Sequence, residues 1–149
     1  DVDVVLDLMI HDIDIVLSLI NKPIKNIEVS GKKILTKLTD IANVRIKFED
    51  NIVANLTASR ISTKNERKMR IFSDSSYYSI DFINNELKQV VKDKKNNFKI
   101  KEFKFKKTDV LSEEINNFIK TCLGKEKSMT TGYSGEEALI VAKKITRNF

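Results

Sequence analysis

Apolar residues repeat with a helical period at both ends of the chain and with a period of two in between. The first segment is helical from Leu6 onwards and ends at Asn21-Lys22-Pro23. Between residues 24 and 105, apolar and polar positions alternate, which predicts strands. The predicted strands cover residues 27–30, 42–48, 52–58, 67–72, 77–83, 87–91 and 98–105. The pairs Asp50-Asn51, Asn84-Asn85 and Asn96-Asn97 are typical of the turns between strands.

Two helices are predicted at the C-terminal end. The first stops at Gly124, and its apolar stripe consists of Ile115, Phe118, Ile119 and Cys122. Because Cys122 lies on this stripe, we expect it to be inert core. The second helix opens with the capping-box pattern Ser134-Gly-Glu-Glu137, which makes Ser134 a helix cap rather than a nucleophile.

This order of elements predicts an α+β fold with two layers. We expect one large, mostly antiparallel open sheet with helices packed on one face, forming a single domain over residues 1–149. The other face of the sheet must then meet solvent or another subunit. In the last strand the apolar phase slips between Ile100 and Phe103, which predicts a bulge.

Composition excludes several classes of protein. The 149 residues include only four Gly, one Pro and one Cys, so we expect an ordered domain without internal disulfides or cysteine-based zinc sites. A reduced, cytoplasmic setting is the default for such a chain. The run 2–20 is apolar, but four aspartates and a histidine within it make membrane insertion costly. The acidic, Met-less start gives no sign of a signal peptide and suggests a piece of a longer protein.

The net charge of +6 is unevenly distributed along the chain. Residues 1–20 carry five aspartates and no Lys or Arg, which leaves +11 on the rest. Residues 88–107 hold nine Lys with interleaved phenylalanines, a pattern that fits either a nucleic-acid surface or a strand whose lysines prevent edge pairing. Arginine, which makes bidentate contacts, is absent from this stretch, so we favour the strand and expect no nucleic-acid partner.

The first helix carries the most informative pattern in the sequence. In a regular α-helix, a stripe about 60° wide would hold Asp7, His11, Asp14 and Ser18. Nearly all other positions of the helix are apolar, which predicts a buried helix whose polar stripe faces a cavity, a partner or a cleft. Asp7 and His11, four residues apart, could touch, and such a pair can hold a general acid/base in one tautomer.

Two other interpretations of this stripe stay open. Asp7 and His11 could form a structural pair without chemistry, which spacing alone favours. A metal site is the least favoured interpretation, because one histidine with carboxylates, without a second histidine or a thiol, is a poor ligand set.

Three segments resemble one protein family, and together they cover nearly the whole chain. VVLDLMIHDIDIVLSLI at residues 4–20 resembles the D-x-x-x-H segment that opens the substrate domain of the Gfo/Idh/MocA oxidoreductases, the family of glucose–fructose oxidoreductase and inositol dehydrogenase. DIANVRIKFEDNIVANLTASR at residues 40–60 is similar to the sheet hairpin of that family. TGYSGEEALIVAKKI at residues 131–145 is similar to its closing helix.

The resemblance implies the C-terminal half of a two-domain enzyme. An N-terminal Rossmann domain would bind NAD or NADP, and this domain would supply the substrate pocket and, through its open sheet face, a homo-oligomer interface. His11 would take the proton from a substrate hydroxyl, Asp7 would orient His11 and bind substrate, and Asp14 would contact substrate. The G-x-G-x-x-G and E-K-P motifs of the family are missing here, so we expect this chain alone to be inactive.

The segment ASRISTKNERKMRIF at residues 58–72 is most similar to members that act on nucleotide sugars, such as UDP-N-acetylglucosamine dehydrogenases. Its cations, foremost Arg60 and Arg67, could hold a substrate diphosphate. A solvated basic turn between strands explains the same residues. The competing function is a non-catalytic binding and oligomerisation module, which would use the basic sheet for an anionic partner.

Overall fold

A computed structural model describes residues 2–93, 95–128 and 130–149, so Asp1, Lys94 and Met129 lie outside the described residues. Lys94 belongs to the basic stretch 88–107 and Asp1 to the acidic first segment. The chain divides into two compact units. The first unit comprises residues 1–62 and 128–149, and the second comprises residues 63–127.

The first unit combines two helices with a three-stranded sheet. A π-helical turn at Val5–Met9 continues as α1, Ile10–Ile20, which ends at Asn21 in the left-handed conformation (φ 44°). The strands β1 (Ile24–Lys32), β2 (Ile41–Phe48) and β3 (Val53–Ser59) are antiparallel in the order β1-β2-β3. The closing helix of the chain, Gly132–Thr146, belongs to this unit and contacts α1.

The core of the first unit follows from the alternation along β2. One face of this strand is buried and consists of Ala42, Val44, Ile46 and Phe48. The neighbouring strand β3 adds Leu56 and Ala58 to this face. The helical segments and the residue before the first of them contribute the rest of the core, which comprises Val4, Val5, Met9, Ile13, Val16, Ala138, Val141, Ala142 and Ile145. The opposite face of the sheet is polar and exposed, with hydrogen bonds from Arg45 to Asn55 (3.1 Å) and from Thr57 to Asn43 (2.8 Å).

The second unit is a four-stranded antiparallel meander followed by a helix. Its strands are β4 (Lys68–Ser73), β5 (Ser76–Asp81), β6 (Glu86–Lys92) and β7 (Phe98–Lys104), paired in that order. The helix α2, Val110–Cys122, comes next along the chain, and the closing helix of the first unit is therefore α3. None of the described residues between 63 and 127 is buried.

The α+β fold class predicted from the sequence is confirmed, and all seven predicted strands are present. The strands are divided between two sheets rather than joined in one. The lysine-rich strand β7 is an edge strand, as expected, and two of its charges are paired: Glu102 with Lys88 (2.8 Å) and Lys104 with Glu86 (2.9 Å).

Three local predictions need correction. β7 pairs with β6 in unbroken register, so the predicted bulge is absent, and the register shift lies in β1 between Ile24 and Asn26. Cys122 is exposed, because the apolar stripe of α2 lies uncovered rather than in a core. Helix α3 is capped by Thr131, which exchanges hydrogen bonds with Ser134, so Ser134 belongs to the capping box at a position inside the helix.

None of the helices in the described ranges has the length and apolar character needed to cross a bilayer.

Candidate active site

The start of the first helix is fixed by its own sequence and by a neighbouring loop. The Asp3 carboxylate accepts hydrogen bonds from the backbone N–H groups of Val5 (2.8 Å) and Leu6 (3.1 Å), in the manner of a helix cap. The Val4 N–H donates to the Thr39 carbonyl (3.0 Å). Val4 and Val5 are completely buried, so this end of the helix is anchored in the core.

The π-helical turn places Asp7 at an irregular point of this helix. The N–H of Ile10 donates to the carbonyl of Val5, five residues earlier, which makes the turn wider than an α-helical one. The regular spacing that predicted contact between Asp7 and His11 therefore does not hold here. π-helical turns are rare, and those that occur often lie at functional sites. This turn is therefore a candidate part of a functional site.

His11 and Asp7 both lie on the surface of the first unit. His11 is exposed, and within the described part of the chain it has no hydrogen-bond or ion-pair partner. The Asp7 side chain is 52% exposed, and its Oδ2 atom lies 3.6 Å from Nη2 of Arg60 rather than against His11. Leu8 and Leu19 are exposed as well, so the prediction of a helix buried on most sides is wrong. Asp7 and His11 of the polar stripe therefore face outwards and are accessible.

Asp14 and Ser18 border a small cavity farther along the same helix. Its volume is about 140 Å³, and its lining consists of Asp14, Leu17, Ser18, Asn21, Ser134 and Glu137. Asp14 is half-buried there, between α1 and the first turns of α3. The structure thus brings two polar residues of the predicted stripe to one concave surface.

Arg60 is already engaged within the first unit. It follows β3 directly, its N–H donates to the Asp40 carbonyl (3.0 Å), and its Nη2 donates to the Val2 carbonyl (2.5 Å). Its Nε atom is buried and has no acceptor among the described residues. Arg67 belongs to the second unit, where its guanidinium lies 5.1 Å from the centroid of the Phe82 ring. Each arginine is therefore held by contacts within its own unit.

Asp40 is a structural residue that sequence reasoning missed. It is completely buried, and its Oδ2 atom accepts hydrogen bonds from the N–H groups of Ile34 (2.7 Å), Leu35 (2.7 Å) and Thr36 (2.9 Å). The Thr36 hydroxyl donates to its Oδ1 (2.7 Å). The hydrogen bonds from the N–H and hydroxyl of Thr36, with those from Ile34 and Leu35, hold the pKa of Asp40 far below its ordinary value. The loop 33–39, which includes Ile34, Leu35 and Leu38, contains no sequence pattern that marks this role.

The described residues contain neither a cluster of metal ligands nor a glycine-rich phosphate-binding loop. They include no group of three or more His, Cys, Asp or Glu residues placed to hold a metal ion. Gly31 lies in β1 against the Phe149 ring, and Gly132 and Gly135 lie in the first turn of α3, whose end is closed by its own capping box. These glycines do not form a phosphate-binding loop between a strand and a helix.

Similarity to known proteins agrees with this picture. The family profile described as GFO/IDH/MocA C-terminal domain matches residues 3–78, which include the π-helical turn, Asp7, His11 and Arg60. The chain belongs to this family of C-terminal domains.

The relatives include a nucleotide-sugar enzyme. UDP-N-acetylglucosamine 3-dehydrogenase of Acidithiobacillus ferrooxidans is 40% identical over 87 residues, which are 58% of this chain and 28% of that protein. A solved structure of that enzyme matches 99% of this chain and 47% of its own chain, with 31% identity and a TM-score of 0.90. Levoglucosan dehydrogenase in complex with NADH matches 98% of this chain and 48% of its own, with a TM-score of 0.84; at 12% identity it shows the fold alone. The chain thus spans about half the length of these solved proteins.

Proposed function

We propose that this chain is the substrate-binding half of an NAD(P)-dependent oxidoreductase acting on a sugar or a nucleotide sugar. In this proposal residues 1–149 form the C-terminal domain, and a cofactor-binding half precedes them; we call the complete protein the two-domain enzyme. The observation that carries the proposal is the exposed His11 on the surface of the first helix, next to the π-helical turn that presents Asp7. Its setting is the reduced cytoplasm, in keeping with a single unpaired cysteine.

His11 performs the proton transfer in this proposal. A neutral ring nitrogen of His11 accepts the proton of a substrate hydroxyl, while the carbon that bears this hydroxyl is oxidised to a carbonyl. The nicotinamide cofactor, held by the other half as NAD or NADP, accepts the hydride that leaves the same carbon. The lack of any protein partner on His11 among the described residues leaves its ring free to meet a substrate.

Two carboxylates have positions suited to binding the sugar. Asp7 presents an exposed carboxylate one turn before His11, where it can orient the imidazole once substrate is bound and accept a hydrogen bond from a sugar hydroxyl. Asp14 borders the small cavity beside α3, where a second sugar hydroxyl could bind. Sugar recognition in this proposal thus uses polar groups from one helix.

The similarity to UDP-N-acetylglucosamine 3-dehydrogenase supports a UDP-N-acetylglucosamine-like substrate. It also favours an enzyme over the competing function, a binding module that uses the basic sheet for an anionic partner. Arg67, whose guanidinium lies 5.1 Å from the centroid of the Phe82 ring, is in this proposal a further candidate to bind a substrate diphosphate.

Turnover tests this function. The two-domain enzyme, given UDP-N-acetylglucosamine with NAD or NADP, is expected to produce the reduced cofactor, whereas this chain alone is expected to produce none. Absence of turnover by the two-domain enzyme with nucleotide sugars and free sugars alike would count against the oxidoreductase. Turnover by the isolated chain would refute the assignment of the cofactor site to the other half.

We further propose a homo-oligomer that covers the sheet of the second unit. Because none of the described residues in 63–127 is buried, this sheet lacks the apolar burial that stabilises a sheet in water. The register places an apolar row across one face, formed by Phe72, Tyr77, Val90 and Ile100, with Phe98 beside it. Phe72, Phe98 and Ile100 are each more than two-thirds exposed, so the row is a surface that a second copy could cover.

Light scattering at micromolar concentration is expected to show a mass above that of the monomer. The double substitution Phe98→Ser and Ile100→Ser is expected to weaken association at least about tenfold, since it removes apolar area from the proposed interface. Phe103→Ser is the matched control, because Phe103 lies on the same strand but on the opposite face of the sheet. A monomeric wild-type chain, or dissociation caused by Phe103→Ser alone, would contradict this surface.

A further inference from the structure

Arg60 connects three separate segments at the start of the first helix. Its Nη2 atom lies 3.6 Å from Oδ2 of Asp7 and donates to the Val2 carbonyl, while its backbone N–H donates to the Asp40 carbonyl. Its side chain is only 22% exposed, although arginines are mostly found at the surface. A half-buried guanidinium is costly unless it is paired or hydrogen-bonded, and here the Asp7 carboxylate and the Val2 carbonyl are its partners.

The backbone beneath Arg60 is rigidly held. The carbonyl of Asp40 accepts the hydrogen bond from the Arg60 N–H. Asp40 is completely buried, and its carboxylate accepts four hydrogen bonds from residues 34–36. On the other side, β3 ends at Ser59 and also contacts the π-helical turn. Arg60 therefore projects from a fixed point towards Asp7, and the position of its guanidinium is set by the fold.

We infer that Arg60 is a positioning residue for Asp7. It attracts Oδ2 of this carboxylate and secures the chain just before the π-helical turn. Oδ1 of Asp7 has no hydrogen bond in the described ranges, so one carboxylate oxygen is held and the other is free to meet a sugar hydroxyl or His11. The inference rests on the proposed function, because Asp7 must act on substrate for its position to matter.

The inference replaces the expectation that Arg60 binds the diphosphate of a nucleotide sugar. An arginine that binds diphosphate stabilises bound substrate in its ground state, so its loss mainly raises KM. An arginine that positions a group near the reacting carbon affects the transition state, so its loss mainly lowers kcat. The two roles therefore predict changes in different kinetic constants, KM for a diphosphate ligand and kcat for a positioning residue.

The test measures kcat and KM of the two-domain enzyme for five variants. Arg60→Met is expected to lower kcat about 10- to 100-fold while KM for the nucleotide sugar changes less than about threefold. Arg60→Lys keeps the positive charge but lacks the planar guanidinium, so its kcat is expected to lie between those of Arg60→Met and the wild type. Arg45→Met is the matched control and should change neither constant, because Arg45 lies exposed on the outer face of β2. Asp7→Asn combined with Arg60→Met should cost little more than Asp7→Asn alone.

A readout independent of catalysis uses this chain alone. Amide hydrogen exchange in Val5–Met9 is expected to accelerate at least about tenfold in Arg60→Met, while exchange in β2 stays unchanged. A large rise in KM at constant kcat would overturn the inference in favour of a diphosphate ligand, and multiplicative effects of the two substitutions would overturn it as well. If Asp7→Asn leaves kcat unchanged, the proposed role of Asp7 fails, and the inference fails with it. If Asp7→Asn lowers kcat but Arg60→Met does not, only the inference fails.

Discussion

Replacing His11 by glutamine in the two-domain enzyme is expected to lower kcat by about 10²- to 10⁴-fold, the usual range for loss of a general acid/base. Glutamine offers hydrogen-bonding groups but cannot take up the hydroxyl proton at neutral pH. Because His11 is exposed and has no partner among the described residues, Tm should stay within about 2 °C of the wild type. The measurement is steady-state turnover, together with thermal unfolding of the same samples.

Leu19→Gln provides the matched control for this substitution. Leu19 is 58% exposed on the same helix and lies outside both the polar stripe and the lining of the small cavity, so activity should stay close to that of the wild type. Retention of most of the activity by His11→Gln would remove His11 from the mechanism. Equal losses in both variants would indicate damage to the helix rather than loss of a proton acceptor.

Replacing Asp40 by alanine is expected to give the largest loss of stability of any substitution discussed here. Three backbone N–H groups and the Thr36 hydroxyl would lose their acceptor at once, and the loop 33–39 would no longer be tied to the sheet. We expect Tm to fall by about 5–10 °C. Asp50→Asn is the control, because Asp50 lies at φ 55° in a hairpin turn, where asparagine is equally tolerated, and forms only an exposed pair with Lys22.

The same carboxylate predicts a dependence of stability on pH. The pKa of Asp40 is lowered in the folded chain by hydrogen bonds from Thr36, Ile34 and Leu35, relative to an ordinary value of 3.8. Its stabilisation is therefore complete above the ordinary value and is lost as the pH falls below it through the folded value. The difference in Tm between wild type and Asp40→Asn should be constant above about pH 5 and shrink below about pH 4. A difference independent of pH down to acid unfolding would contradict this account of Asp40.

Strands and turns could be predicted closely, because their signals are local. Alternation gave the exposed and buried faces of β2, and Asn or Asp stands at each of the left-handed turn positions Asp50, Asn51, Asn85 and Asn96. The end of α1 was equally predictable from Asn21-Lys22-Pro23, and Asn21 adopts the left-handed conformation there. These residues determine the backbone without help from distant parts of the chain.

The details of the candidate site depend on contacts that no local pattern encodes. A widened turn at Val5–Met9 cannot be distinguished from a regular helix by apolar spacing, so contact between Asp7 and His11 was predicted. In the structure the group beside Asp7 is the guanidinium of Arg60. Arg60 lies more than fifty residues away in sequence and reaches Asp7 only because β3 ends beside the helix. The structural role of Asp40 could not be predicted for the same reason, because its carboxylate closes the loop 33–39 and belongs to no repeating pattern.

Helix α2 shows the limit of amphipathic reasoning. Its stripe was predicted correctly as a helix face, yet Ile115, Phe118 and Cys122 are exposed in the structure. Periodicity states which residues share a face but not what that face contacts. The prediction that the stripe lies in a core required a second element packed against it, and the sequence pattern could not identify one.

The most direct test of the central claim is a crystal structure of the two-domain enzyme with its nicotinamide cofactor and a nucleotide sugar bound together. The quantity to measure is the distance from the nearer ring nitrogen of His11 to the sugar hydroxyl on the carbon that faces the nicotinamide. The account predicts a hydrogen-bond distance of about 2.6–3.2 Å, with a carboxylate oxygen of Asp7 in contact with His11 or the same sugar. A sugar bound away from the first helix, with another residue within reach of that hydroxyl, would contradict it.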